Sequence, residues 1–267
     1  MKKILIIGKR GFIGNSLSKY LKKYFTITHK SFKNINRLKS KINNFDYVIN
    51  TSINKKYIEK KYNNKFDNDL KISNLINNNN KTVYIFLSTR AVYKTKANIK
   101  ENSQILPKSN YAKNKYIIEN ELKKKLNKNL IILRISNVIG DKSNIKKLHN
   151  TFIDIFFNNI RKGFILNNKN YYKDFISIDK FCEIVKKIIQ RNLKGIFNVS
   201  IGKKVLINDV LNWLNFYNLK KVRLKNNKSK VECFYLNNNK LMSKIRVNNS
   251  VLELKKYCLK ISKKSFS

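Results

Sequence analysis

The sequence predicts an α/β fold built on a doubly wound parallel sheet, and three observations carry that prediction. Short apolar runs alternate with longer amphipathic stretches through the first half, the pattern of successive β-α-β units. The first and fourth of these runs are apolar at nearly every position, as a parallel strand buried on both faces requires. Glycines cluster where the first run ends and a helix begins, in a chain that holds only 7 Gly.

Taken in order, strands are expected at Ile4–Ile7, Phe25–Thr28, Tyr47–Asn50, Val83–Leu87 and Leu130–Ile135. Helices are expected between them at Phe12–Lys23, Ile35–Asn43, Ile58–Ile76 and Asn110–Leu126, where apolar residues recur at helical spacing. The second half reads as a smaller, mostly helical lobe. Its helices are expected at Asn150–Ile160, Asp179–Gln190, Ile207–Phe216, Asn239–Ile245 and Val251–Lys260, with short strands at Phe164–Leu166 and Tyr172–Ile176. The division is placed at residues 1–160 and 161–267, with the two parts interleaved. Asn77–Asn80 reads as a surface loop, and there is no internal repeat and no Pro- or Gly-rich linker.

Composition excludes several function classes. At 267 residues and 42% apolar content the chain can bury a sizeable core. No stretch approaches the roughly 18 apolar residues of a membrane helix. Gly8, Lys9 and Arg10 end the N-terminal apolar run short of the ~7–15 residues of a signal-peptide core, so a cytoplasmic location is expected. Cys182, Cys233 and Cys258 match neither a disulfide framework nor a zinc-ligand pattern, which points to a reducing compartment and no metal. The net charge of +44, from 59 Lys and Arg against 15 Asp and Glu, invites a polyanionic partner. The basic residues are dispersed, however, and form no tail. The wealth of Lys, Asn, Ile, Tyr and Phe beside a single Pro is what AT-rich codon usage would produce. Nucleic acid is therefore not expected as the main partner, although such a field attracts anionic small molecules such as nucleotides.

Three glycines fall within Gly8-Lys9-Arg10-Gly11-Phe12-Ile13-Gly14. The first permits a tight turn, the second lets backbone approach a pyrophosphate, and the third lets the helix pack closely on the strand. The helix start then offers free amides and a partial positive charge to phosphates. The sheet is on this evidence Rossmann-like, and Gly8, Arg10, Gly11, Phe12, Ile13 and Gly14 are candidate dinucleotide-binding residues. Where an NAD site usually places a carboxylate on the ribose, the second strand ends as Thr28-His29-Lys30-Ser31. With Arg10 in the turn and His29 and Lys30 beside it, NADP is expected as cofactor and NAD is the alternative.

Tyr111-Ala112-Lys113-Asn114-Lys115 sets a phenol and an ammonium four residues apart, on one helical face. A free Tyr titrates near ~10, and a neighbouring ammonium favours its phenolate, so the pair suits proton transfer at neutral pH. The fourth strand ends as Ser88-Thr89-Arg90-Ala91-Val92-Tyr93, placing hydroxyls at the sheet's carboxyl edge, where ligands of open α/β sheets bind.

Together these segments resemble the extended short-chain dehydrogenase/reductases, the NAD(P)-dependent epimerase/dehydratase family that acts on nucleotide sugars. The resemblance rests on the GxxGxxG spacing of Gly8–Gly14, the hydroxyl segment Ser88–Tyr93, the YxxxK pair Tyr111–Lys115 and Lys173-Asp174-Phe175-Ile176-Ser177-Ile178-Asp179, which is similar to the family's RDF-x-x-V-D segment. Leu133–Gly140, Gly195–Ser200 and Leu236–Lys240 add weaker likenesses in the same order.

The resemblance implies that Tyr111 exchanges a proton with a sugar oxygen. Lys115 would tune Tyr111 and hold the nicotinamide ribose, and Thr89 would hydrogen-bond the reacting oxygen. It further implies a substrate lobe in the C-terminal part, with Ser88, Asn137 and Lys173 as substrate-binding candidates, and a homodimer through the fourth and fifth helices. Lys173 stands where the family has Arg and cannot supply the same bidentate grip. Arg90 and Ala91 occupy the positions where 4,6-dehydratases carry an acid, so dehydration is disfavoured. The expected activity is hydride transfer at a sugar C4, as a 4-keto-sugar reductase or a 4-epimerase. The alternative is a non-catalytic Rossmann-fold protein that binds nucleic acid or senses redox state.

Overall fold

In the computed structural model of the chain, which describes residues 1–77, 81–140, 152–167, 170–225 and 233–266, alternate residues of the first strand serve two cores. In β1 (Lys3–Ile7), Ile4 and Ile6 face one layer while Leu5 and Ile7 face the other. All four are fully buried. With a side-chain period of two, an all-apolar strand is stable only in a sheet covered on both faces.

The glycine turn leads into α1 (Phe12–Leu21), β2 (Thr26–Lys30) and β3 (Tyr47–Asn50), then two short helices, α2 (Lys55–Glu59) and α3 (Asn68–Ser73). β4 (Val83–Thr89), α4 (Asn110–Leu126), β5 (Leu130–Ile135) and β6 (Asn137–Ile139) follow. Beyond them lie α5 (Phe152–Asn158), β7 (Phe164–Leu166), β8 (Tyr172–Lys173), β9 (Phe175–Ser177), α6 (Ile178–Gln190) and β10 (Gly195–Val199). The remaining elements are β11 (Val205–Leu206), α7 (Ile207–Asn215), β12 (Arg223–Lys225), α8 (Asn239–Met242) and α9 (Val251–Phe266).

Six parallel strands form the main sheet in the order β10-β5-β4-β3-β1-β2. α1 and α6 cover one face, and α3 and α4 cover the other, which makes the fold Rossmann-like. The chain moves outward from β1 to β2 and then returns to β3 on the opposite side of β1. That reversal opens a crevice between the carboxyl ends of β1 and β3, the place where such sheets bind ligands. β10 and α6 come from residues 178–199, so chain beyond residue 160 completes the main sheet and one covering layer. A separate core, with Phe156, Leu214 and Leu254 among its members, joins α5, α7 and α9 to β6 and β9. No helix among the described residues is long and apolar enough to cross a membrane.

Several local expectations are corrected. The helix expected at Ile35–Asn43 is two 3-10 turns, Phe32–Leu38 and Ile42–Asn44. Ile35, Leu38 and Ile42 are still buried, because a three-residue turn also brings i and i+3 to one side. The helix expected at Ile58–Ile76 is broken into α2, a 3-10 turn at Asn64–Phe66, and α3. The Asn63 side chain accepts from the Lys65 amide and that of Asp67 from the Leu70 amide, and each such cap starts a new turn. The strand expected at Tyr172–Ile176 divides at Asp174, with β8 antiparallel to β11 and β9 parallel to β6. Asn78–Asn80, and Asn150 and Thr151 at the start of the fifth expected helix, lie outside the described residues.

Candidate active site

The glycine turn lines the crevice between β1 and β3. Gly8 has φ +120°, and a Cβ there would lie 2.2 Å from Thr51 Oγ1. A Cβ on Gly14 would lie 2.5 Å from the same oxygen and 2.6 Å from the Gly8 carbonyl oxygen. Both positions are thus closed to any side chain by the protein's own packing. Gly11 differs, because the nearest atom to its Cβ would be the Gly8 oxygen at 3.5 Å. A side chain at Gly11 would therefore meet no clash within the protein itself. No side chain caps that helix and no acid stands in its first turn, the arrangement that suits a bound phosphate. Thr51, whose hydroxyl donates to the Ile7 carbonyl at 2.8 Å, anchors the turn from the end of β3. Sequence reasoning assigned Thr51 no role; its signal was its place at the carboxyl end of the neighbouring strand.

Arg10 and Lys30 are exposed, and His29 is half-buried at the end of β2. The Gly8 amide donates to the Lys30 carbonyl at 2.9 Å, joining the strand end to the turn. Burial lowers the imidazole pKa of His29, and its Nε2 is buried without a hydrogen-bond partner among the described residues. Ile13 packs into the core beneath α1. The tip of the Phe12 ring points at the backbone after β6, where a Cβ on Gly140 would fall 1.8 Å from its Cζ. The glycine turn and the segment after β6 therefore touch through Phe12 and Gly140.

α4 begins at Ser109, whose hydroxyl accepts from the Ala112 amide at 3.2 Å. Asn114 donates to the carbonyls of Tyr57 at 2.7 Å and Lys60 at 2.9 Å, tying α2 to this helix. Tyr111, Lys115 and Glu119 follow at intervals of one turn. Tyr111 is half-buried beside Tyr57. Lys115 is buried, with Nζ 4.5 Å from the ring centre of Phe86 on β4 and 3.8 Å from Asp69 Oδ2. Thr89 ends β4, and its hydroxyl accepts from the Ala91 amide at 3.2 Å, starting a 3-10 turn at Arg90–Val92 that packs on α4. Thr89, Tyr111 and Lys115 are in this way gathered where the carboxyl end of β4 meets the first half of α4.

The substrate-binding candidates have protein partners. The Ser88 hydroxyl is buried and donates to Glu119, whose carboxylate also takes Arg134 Nη2 at 2.6 Å and Nε at 3.1 Å. Ser88 thus belongs to an interior network. Asn137 Nδ2 donates to the Asp174 carbonyl at 2.9 Å across the β6–β9 pair. Lys173 is half-buried on β8, opposite Val205 of β11. The Arg90 guanidinium stacks 3.8 Å from the centre of the Phe234 ring.

Four further acids were not singled out from the sequence. Asp174 is fully buried and accepts from the amides of Leu236 at 2.9 Å and Gly202 at 3.3 Å, and burial pushes its carboxyl up to about 7. Asp67 and Asp69 are buried under α4, and Glu119 is buried on that helix itself. Their signal was scarcity: Asp67-Asn68-Asp69 is a rare acidic cluster in a chain with only 15 acids.

Solved structures share this architecture. UDP-N-acetylglucosamine 4-epimerase of Methanobrevibacter ruminantium, solved with UDP-N-acetylmuramic acid, superposes with a TM-score of 0.80 at 20% identity, over 98% of this chain and 97% of that one. A dTDP-glucose 4,6-dehydratase of Bacillus anthracis in complex with NAD matches with a TM-score of 0.76 at 14% identity, covering 99% and 97% of the two chains. A dTDP-4-dehydrorhamnose reductase of Clostridium acetobutylicum matches at 0.74 and 18% identity, covering 96% and 98%. No match was found among curated proteins. A family model described as the NAD dependent epimerase/dehydratase family matches residues 4–200, from β1 through the end of β10, and the chain belongs to that family.

Proposed function

We propose that this protein is an oxidoreductase or epimerase of nucleoside-diphosphate sugars that moves hydride at the sugar C4 without eliminating water. The observation that carries the reading is the buried Lys115 one turn after Tyr111, held against β4 just before Thr89. The dinucleotide, when bound, supplies or takes up the hydride. Gly8, Gly11, Phe12, Ile13, Gly14 and the start of α1 would hold its phosphates, and Lys115 its nicotinamide ribose. Tyr111 would give or take the proton of the sugar oxygen at the reacting carbon, and Thr89 would orient that oxygen. Lys115 would favour the phenolate of Tyr111 electrostatically.

Arg90 stacked on Phe234, with Ala91 beside it, supports chemistry without dehydration, because neither residue is an acid. Exposed Arg10 and Lys30, with no carboxylate at the end of β2, support a preference for NADP, and with it net reduction over epimerisation. Asn137 and Lys173 would face the substrate from the lobe formed by α5, α7 and α9.

Purified protein incubated with NADPH and UDP- or dTDP-linked 4-keto-hexoses should oxidise the cofactor. Tyr111→Phe should lose turnover by about 10²–10⁴-fold. Full turnover in that variant would refute the acid–base assignment.

A further inference from the structure

Behind Lys115 lies a buried acidic pocket that the proposed reaction does not itself use. Asp69 is 5% exposed, and its Oδ1 accepts from the Tyr84 hydroxyl at 2.7 Å and from Asn50 Nδ2 at 2.9 Å. These donors come from β4 and β3, so the carboxylate is fixed by the sheet and not by the lysine. Its other oxygen faces Lys115 Nζ at 3.8 Å, with both side chains 8% exposed. The ammonium is otherwise bounded by the rings of Phe86 and Tyr57, at 4.5 Å and 5.7 Å from their centres. The remaining titratable groups facing Asp69 are Asp67 at the start of α3, Tyr57 of α2, Tyr62 in the connection between them, and Tyr84.

We infer that Asp69 is a positioning residue whose carboxylate offsets part of the charge that the Lys115 ammonium brings to bear on Tyr111. This rests on the assignment of Tyr111 and Lys115 made above. A buried ammonium needs an opposite charge close by, and Asp69 is the acid that faces it. The same carboxylate weakens the pull of the ammonium on the phenol. Tyr111 can then return a proton as well as accept one, as reversible hydride chemistry demands. In the same pocket the Tyr57 hydroxyl is buried without a hydrogen-bond partner among the described residues.

The test uses the full chain and needs no substrate. Phenolate absorbance of Tyr111 is followed across a pH series as the difference between each protein and its Tyr111→Phe counterpart. In Asp69→Asn the phenolate should form about one pH unit more acidic than in the wild type. Lys115→Met should move it about one unit the other way, and the double variant, which buries neither charge, should lie near the wild type. An unmoved profile in Asp69→Asn overturns the inference. So does a double variant that titrates like Lys115→Met alone, and that comparison decides the matter if circular dichroism shows Asp69→Asn to be unfolded. Retained turnover in Tyr111→Phe would instead overturn the catalytic assignment, whatever the titrations show.

Discussion

Lys115 and Glu119 stand one turn apart on α4, both buried, yet their ion pairs are built differently. Glu119 receives Arg134 through two short hydrogen bonds and the Ser88 hydroxyl besides, with the two charged side chains 0% and 3% exposed. Such a two-pronged pair satisfies both charges where they lie. Lys115 meets Asp69 only at 3.8 Å, and the Tyr57 hydroxyl in the same pocket has no hydrogen-bond partner among the described residues. The first arrangement locks α4 to β4 and β5. The second leaves an ammonium able to follow a change of charge at its neighbour. One helix thus carries two buried charges on successive turns, distinguished by how completely their partners satisfy them.

The largest effect that would break this comparison belongs to the locked pair. Glu119→Ala leaves the Arg134 guanidinium buried without its carboxylate and should cost about 3–5 kcal/mol in denaturant unfolding. A cost below about 1 kcal/mol would mean that the pair is not locked in solution.

The open pocket should instead respond to pH. Burial and the charge of Asp69 push the Asp67 carboxyl up to about 6, above the 3.8 of an ordinary Asp. The folded state therefore holds this proton more tightly than the unfolded chain. The resulting stability is fully present below pH 3.8 and is lost as pH rises through about 6. Measured as the difference between wild type and Asp67→Asn, stability should fall by about 2 kcal/mol from pH 4 to pH 7. A flat difference would show that the pocket does not respond. Asp174, in the other half of the molecule, has the same sign and is present in both proteins, so it cancels.

The smallest effect sharpens the contrast. Removing the unpartnered Tyr57 hydroxyl in Tyr57→Phe should cost nothing and should raise stability by up to about 1 kcal/mol, because a buried polar group without a partner is removed. A loss above about 1 kcal/mol would reveal a partner for that hydroxyl and a tighter pocket than described.

Much of the framework was written locally. β3, β5 and α4 have the residue limits expected of them, because all-apolar runs and a helical repeat are signals contained within a few residues. The glycine turn and the Tyr111–Lys115 spacing are equally local. The interruption of Ile58–Ile76 was not legible as such, since Asn63 and Asp67 could as well have faced solvent on a continuous helix. Their choice to cap depends on what α4 and the sheet leave for them to pack against. The role of Ser88 was hidden for a similar reason. Neighbouring residues on a strand point to opposite faces, and nothing in Ser88-Thr89 tells which face will meet the buried Glu119.

By itself, then, the sequence determined the α/β class, the strands of the first half and two motifs at one sheet edge, the glycine turn and the Tyr111–Lys115 pair. Periodicity and steric need at glycine act over a few residues, so they are visible in the chain as written. Only the tertiary structure decided that β10 closes the sheet beside β5, that Thr51 braces the glycine turn, and that Asp69 faces Lys115 while Glu119 faces Arg134. Those pairings join residues distant along the chain. In a protein with 59 basic residues, the identity of a buried carboxylate's partner is set by which side chains the fold removes from water together.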